Sequence, residues 1–205
     1  MNRAVPNLLV IACGAVAREL VRVVHLDRLT GVEIACLPPE LHNRPERIPD
    51  AVRTRIHQAR RDGYDNILIG YADCGTGGLL DTVCAEEGVS RLPGAHCYEL
   101  FAGAEVFASL QEEEPGTFYL TDYLVRNVDR LVFGGLGIDR HPELATLYFG
   151  NYRRVVHLAQ TDDPELDRRG RRAAERLGLA YERRSTGLGS LPIAVRSARG
   201  ALVTS

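Results

Sequence analysis

Short apolar, β-branched runs alternate with stretches of helical period along almost the whole chain. Leu8, Leu9, Val10, Ile11 and Ala12 form an unbroken apolar run, the mark of a strand buried on both faces. A helix follows over 15–27, where Val16, Leu20, Val23 and Val24 are spaced to share one face. Next come a strand over 32–36, a Pro-rich polar loop over 37–49, a helix over 50–62 that Gly63 closes, and a strand over 67–71. Beyond Gly75, Gly77 and Gly78 a helix reaches Glu87 and stops at Gly88; a short strand over 89–92 and a helix over 98–110 complete the first half. The second half reads as a strand over 117–120, helical segments over 123–133 and 142–149, a strand over 155–159, a helix over 163–177 and a last strand over 181–183. This alternation predicts an α/β protein with an open, mainly parallel, three-layer sheet and helices on both faces. The expected organisation is one domain over 1–196 and a C-terminal tail over 197–205. In such sheets ligands sit outside the carboxyl ends of the strands.

With 45% hydrophobic and 25% charged residues, the chain has the composition of an ordinary globular protein. Its cations are unusual: all 25 are arginine, and lysine is absent. That excludes Schiff-base catalysis, PLP chemistry and a P-loop, each of which needs a primary amine. A formal net charge of -2 argues against nucleic acid as a partner. The one basic cluster, Arg168, Arg169, Arg171, Arg172 and Arg176, is interleaved with Asp167 and Glu175 on a predicted helix and reads as a solvated face. Residues 1–13 imitate a lipoprotein signal, but Pro6 and Asn7 interrupt the run and leave it too short. No stretch is long and apolar enough for a membrane span, so a cytoplasmic protein without membrane association is expected. Its five cysteines should then be reduced thiols.

Three of these thiols fall at equivalent places. Cys13 follows the first strand, Cys74 lies just past the third, and Cys97 comes after the fourth, so all three belong to one rim of the predicted sheet. Each precedes a predicted helix, whose N-terminal N–H groups should lower its pKa. Three thiolates with a vacant position suit zinc with an exchangeable ligand or an iron-sulfur cluster with one open iron. A bare thiol nucleophile is a third option, with His96 beside Cys97 as its base. Cys36 ends the second strand, and Cys84 sits on the apolar side of a helix. The long loop leaving the same rim carries His42, Asn43 and Arg44 in succession, a proton carrier and an anion-binding fork, although an Asn/Pro turn with Glu46 capping the next helix explains it equally well. Thr121 and Asp122 follow the fifth strand, at the same predicted rim as the cysteines, where Asp122 is a candidate base or ligand. The Asp162 and Asp163 pair before Pro164 reads as a helix cap.

Five motifs carry a family resemblance. Cys13-Gly14, residues 41–46, Tyr71-Ala72-Asp73-Cys74-Gly75-Thr76-Gly77-Gly78, His96-Cys97-Tyr98-Glu99 and residues 116–122 together resemble the bacterial and archaeal domain-of-unknown-function family numbered sixteen thirty-eight. The likeness continues through Phe149-Gly150-Asn151-Tyr152 and Ala159-Gln160-Thr161-Asp162. The resemblance implies cysteines at the positions of Cys13, Cys74 and Cys97, and a genetic association with corrinoid-dependent methyltransferases in one-carbon metabolism. It implies no settled activity. The expectation is a small-molecule enzyme holding zinc on these cysteines, with His42, His96 or Asp122 handling protons and Arg44 an anion; the alternatives are an iron-sulfur lyase or reductase, and a non-catalytic module that binds metal or corrinoid methyltransferase proteins.

Overall fold

The structure is a computed structural model that describes residues 8–200. The first half of the signal-like segment and residues 201–205 of the expected tail lie outside the described residues. The protein is α/β with parallel sheets flanked by helices. Where the alternation predicts one sheet, the strands fall in two, of four and three strands, and the chain divides into two compact units. Phe101–Gly187 forms the second unit; the described residues on either side of it form the first.

In the first unit β1 (Leu8–Cys13), β2 (Val32–Leu37), β3 (Asn66–Gly70) and β4 (Ser90–Arg91) pair in the order β2-β1-β3-β4, all parallel. Every residue of β1 is buried, as its uninterrupted apolar run requires. Right-handed crossovers fix where the helices go. The connection from β1 to β2 runs one way along the sheet, while β2 to β3 and β3 to β4 run the other way, so the first helix and the next two must lie on opposite faces. The packing agrees: α2 (Ile48–Arg61) rests against α3 (Leu79–Glu87), and α1 (Ala17–Leu26) rests against the last helix, α9 (Leu191–Gly200).

The hydrophobic pattern missed α9. Its apolar stripe is short, with Leu191 and Val195 one turn apart, and gains its meaning only from α1. Ser197, the expected start of the tail, lies inside this helix. The chain leaves the first unit after Leu100 and returns through Ser190, whose N–H and Oγ donate to the Leu100 carbonyl at 3.0 and 3.1 Å. The helix expected over 98–110 is two helices, α4 (Cys97–Ala102) and α5 (Ala104–Glu113), parted by Gly103 at φ 84°.

The second unit pairs β5 (Thr117–Thr121), β6 (Arg154–Ala159) and β7 (Ala180–Ser185) in chain order. α6 (Asp122–Arg126) packs on α8 (Pro164–Leu177). The helix expected over 123–133 stops at Arg126 and resumes as a wide π-type turn, Asp129–Gly134, whose Val132 and Phe133 meet Phe149 of α7 (Leu144–Phe149) in the core. Arg154 ties the strands at their amino ends, donating to Thr117 Oγ1 at 2.9 Å, Glu182 Oε2 at 3.0 Å and the Leu110 carbonyl at 3.1 Å. Among the described residues no helix is long and apolar enough to cross a membrane.

One close approach shapes the first sheet. Gly70 ends β3 beside Ala12, and a Cβ added at Gly70 would lie 2.8 Å from the Ala12 Cβ and 3.0 Å from its Cα. We expect Gly70→Ala to force β1 and β3 apart and cost about 1–3 kcal/mol, read from the shift in urea midpoint.

Candidate functional site

The strand order of the first sheet reverses between β1 and β3, which makes their carboxyl ends a topological switch point. Cys13 ends β1 and caps the 3₁₀ turn Gly14–Val16, its sulfur accepting the Ala15 N–H at 3.4 Å. In register beside it, Gly70 hands the chain to Tyr71 and then to a turn built around Asp73. The Asp73 carboxylate accepts from Thr76 Oγ1 at 2.6 Å and from the N–H groups of Gly77 and Gly78 at 3.1 and 2.9 Å. Within this turn Cys74 adopts φ +53°, a left-handed conformation that a side chain seldom takes. Its own N–H donates to the Ala95 carbonyl at 2.8 Å, and the Asp73 N–H donates to Gly94 at 3.1 Å. The Cys74 turn therefore hangs on the loop that carries His96 and Cys97, and Cys97 opens α4.

The structure thus brings Cys13, Cys74 and Cys97 within electrostatic reach of one another. Backbone N–H groups are directed at each sulfur: Ala15 at Cys13, Ala72 and Cys97 at Cys74, Cys97 and Tyr98 at Cys97. These donors act as the helix-terminus argument expects, but they lose. Burial raises the Cys13 thiol, pushes Cys74 up to about 12, and lifts Cys97 well above the usual range. The expectation of lowered thiol pKa values is therefore corrected: without a cation, all three are neutral thiols. Among the described residues, no three His, Cys, Asp or Glu groups stand close enough to form a ready-made metal cage.

Two further groups join the cluster. Tyr71 is buried and interacts with Cys13, Cys74 and Cys36, and Cys36, exposed at the end of β2, also interacts with Cys13. The sequence reading passed over both, because Tyr71 looks like a core residue at a strand end and Cys36 like a strand terminus.

The loop after β2 folds as two 3₁₀ turns, Pro39–Asn43 and Pro45–Arg47, over this rim. A Cβ on Gly14 would come within 3.2 Å of Pro39, and one on Gly75 within 3.5 Å of Pro45, so the loop packs on both the Cys13 and the Cys74 turns. Its His42 has its pKa lowered, first by the protein around the imidazole and then by repulsion from His96, which favours a neutral imidazole able to accept a proton. Arg44 is exposed and makes no side-chain hydrogen bond or ion pair among the described residues. Glu46 does not cap α2, whose N-terminal position is taken by Arg47 without a side-chain bond. Glu99 is committed elsewhere, accepting the Ala95 N–H at 2.8 Å.

Asp122 does not share the cysteine rim. It follows β5, a strand of the other sheet, and its carboxylate is wholly buried and fully engaged. Oδ1 meets His157 Nε2 at 2.9 Å and the Gln160 N–H at 3.2 Å; Oδ2 accepts from Thr161 Oγ1 at 2.5 Å. His157 Nδ1 continues to the Tyr181 hydroxyl at 3.0 Å, which donates to Asp167 at 2.9 Å. Burial acts to raise the Asp122 carboxyl, but the bonds from His157 and Thr161 prevail and hold it below the usual carboxylate range. A histidine amid the apolar residues 155–159 was the sequence signal for this network. Thr121 and Asp163 do cap their helices, accepting from the Leu124 and Glu165 N–H groups at 3.3 and 2.9 Å.

Two outcomes test this electrostatic picture. Asp122→Ala leaves His157 buried opposite no carboxylate and should cost about 3–5 kcal/mol by urea denaturation. The wild-type contribution is present above the ordinary carboxyl value, about 3.9, and disappears as pH falls through the lowered one. The thiols work in the opposite direction: with pKa values raised on folding, they favour the fold below the ordinary thiol value. We therefore expect the urea midpoint of the metal-free protein to fall as pH rises above about 8.5, and Cys97→Ala to flatten that slope.

Comparison with known proteins adds a family and nothing closer. No curated protein and no solved structure matches the chain. The family model described as "Protein of unknown function (DUF1638)" matches residues 36–193, a span that holds Cys36, Tyr71, Cys74, Cys97 and Asp122. On that match the chain belongs to the DUF1638 family.

Proposed function

We propose that the protein is a metal-dependent enzyme acting on a small molecule, with Cys13, Cys74 and Cys97 holding one zinc ion. The observation that supports this reading is the approach of three thiols to within electrostatic reach of one another at the switch point, each sulfur supplied with backbone N–H donors. A buried neutral thiol would release its proton to a base or to solvent when a metal binds its sulfur, and N–H donors would then stabilise the thiolate. A bound metal would have to draw the sulfurs closer than they stand here. The positive-φ glycines Gly75, Gly77, Gly78 and Gly94 flank Cys74 and precede Cys97, and give these turns the freedom to do so. A three-thiolate zinc with an open position activates a bound thiol or water for alkyl or methyl transfer or for hydrolysis. His42, with its lowered pKa, takes the proton released, and His96 sits beside it. Arg44, whose side chain has no partner among the described residues, holds an anionic substrate group by its guanidinium fork. The proposed setting is one-carbon metabolism beside corrinoid methyltransferase proteins.

Full-length protein purified with and without air, followed by metal and sulfide analysis, tests the reading. We expect one zinc per chain and the release of about three protons on zinc binding, measured by calorimetry in buffers of different ionisation enthalpy. Cys13→Ser, Cys74→Ser and Cys97→Ser should each weaken zinc by more than the roughly 10–100-fold that losing a supporting partner costs. Iron with sulfide would move the proposal to a cluster enzyme. Absence of any stoichiometric metal under both conditions would sink it.

A further inference from the structure

Part of the basic cluster of α8 lines a cavity of about 370 Å³ in the second unit, within the range of roughly 300–1,000 Å³ typical of small-molecule sites. Arg169, Arg172 and Arg176 follow one another at steps of three and four residues, which sets them on one face of the helix, and all three border the cavity. Arg168 and Arg171 do not. They pair along the helix with Glu165 and Asp167, and Arg171 lies over the Tyr181 ring, as expected of a solvated face. The cavity floor is apolar, made by the buried residues Val128, Phe133 and Ala173.

Two of the three guanidinium groups are held in place. Arg169 donates to the Arg126 carbonyl at 3.1 Å; Arg176 lies 3.8 Å from the centre of the Phe133 ring and donates to Asp139 at 2.5 Å. A guanidinium carries five N–H donors, so these bonds leave most of each fork unused. Arg172 is exposed and makes no side-chain hydrogen bond among the described residues. The acids at the cavity, Asp129 and Glu165, meet the three arginines only at 3.7–4.0 Å, beyond hydrogen-bond reach. Both carboxylates are more than half exposed, where such pairs contribute little, so they can yield to a better-matched anion. One bidentate guanidinium satisfies a carboxylate, whereas three forks on one wall match the three terminal oxygens and double charge of a phosphoryl group.

We propose that this cavity binds a small organic phosphate, its phosphoryl group held by Arg169, Arg172 and Arg176 and its apolar remainder seated on Val128, Phe133 and Ala173. The site draws on none of the three cysteines and stands or falls apart from the metal reading. It involves no covalent step.

The test is calorimetric titration of the full-length protein with phenyl phosphate and, separately, with inorganic phosphate. The wild type should bind one phenyl phosphate per chain, and bind it more tightly than inorganic phosphate. Arg172→Gln breaks no hydrogen bond of the described fold; it should keep the wild-type urea midpoint and weaken phenyl phosphate roughly 10–100-fold, the loss of charge-assisted bonds. Arg171→Gln removes the same charge from the same helix outside the cavity, and should leave the affinity within about twofold. Absence of saturable binding, equal affinity for the two probes, or an undiminished affinity in Arg172→Gln would each overturn the inference. So would an equal loss in Arg171→Gln, which would mean that only the general positive charge of α8 attracts the anion.

Discussion

The first unit depends on one constraint, the complete burial of β1. A strand buried on both faces must have parallel neighbours on each side and helices above and below, and that arrangement follows from the run of Leu8 to Ala12. Because β1 is central, the chain must reverse direction across it, and the reversal creates the switch point where Cys13 emerges. The close fit of Gly70 against Ala12 then brings Tyr71 beside Cys13. The site is thus a consequence of sheet packing as much as of the loops that cover it.

Burial also decides the chemistry of the thiols. Helix termini and N–H donors favour thiolates, and reasoning from sequence alone gives those effects full weight because burial depth is not written in the local pattern. In the folded chain, desolvation is the larger influence at Cys13, Cys74 and Cys97. The same competition runs the other way at Asp122, where a histidine, a threonine hydroxyl and a backbone N–H meet the carboxylate directly and outweigh its burial. Depth alone does not set the sign; the number and charge of the partners does.

Most strands and the principal helices were legible from periodicity, since each buries a stripe set by its own spacing. α9 was not, because Leu191 and Val195 acquire a face only against α1. Nor was the division into two sheets: the strand pattern is the same whichever sheet a strand joins, and Asp122 was assigned to the wrong rim for that reason. The three cysteines were legible because each stands at a strand end. Tyr71 was not, since a tyrosine at a strand end is ordinary until its neighbours Cys13, Cys74 and Cys36 are known.

The burial of the thiols bears on the chemical durability of this sheet edge. Peroxide and electrophiles attack thiolates and leave protonated thiols largely alone, so the first rung of the cysteine oxidation ladder is slow for a sulfur held neutral. Desolvation holds Cys13, Cys74, Cys97 and Cys36 all in that state, but Cys36 alone of the four stands exposed, at the neighbouring strand end. Desolvation therefore acts as an antioxidant built into the sheet edge, keeping the cluster chemically intact, and oxidative damage would register first at Cys36.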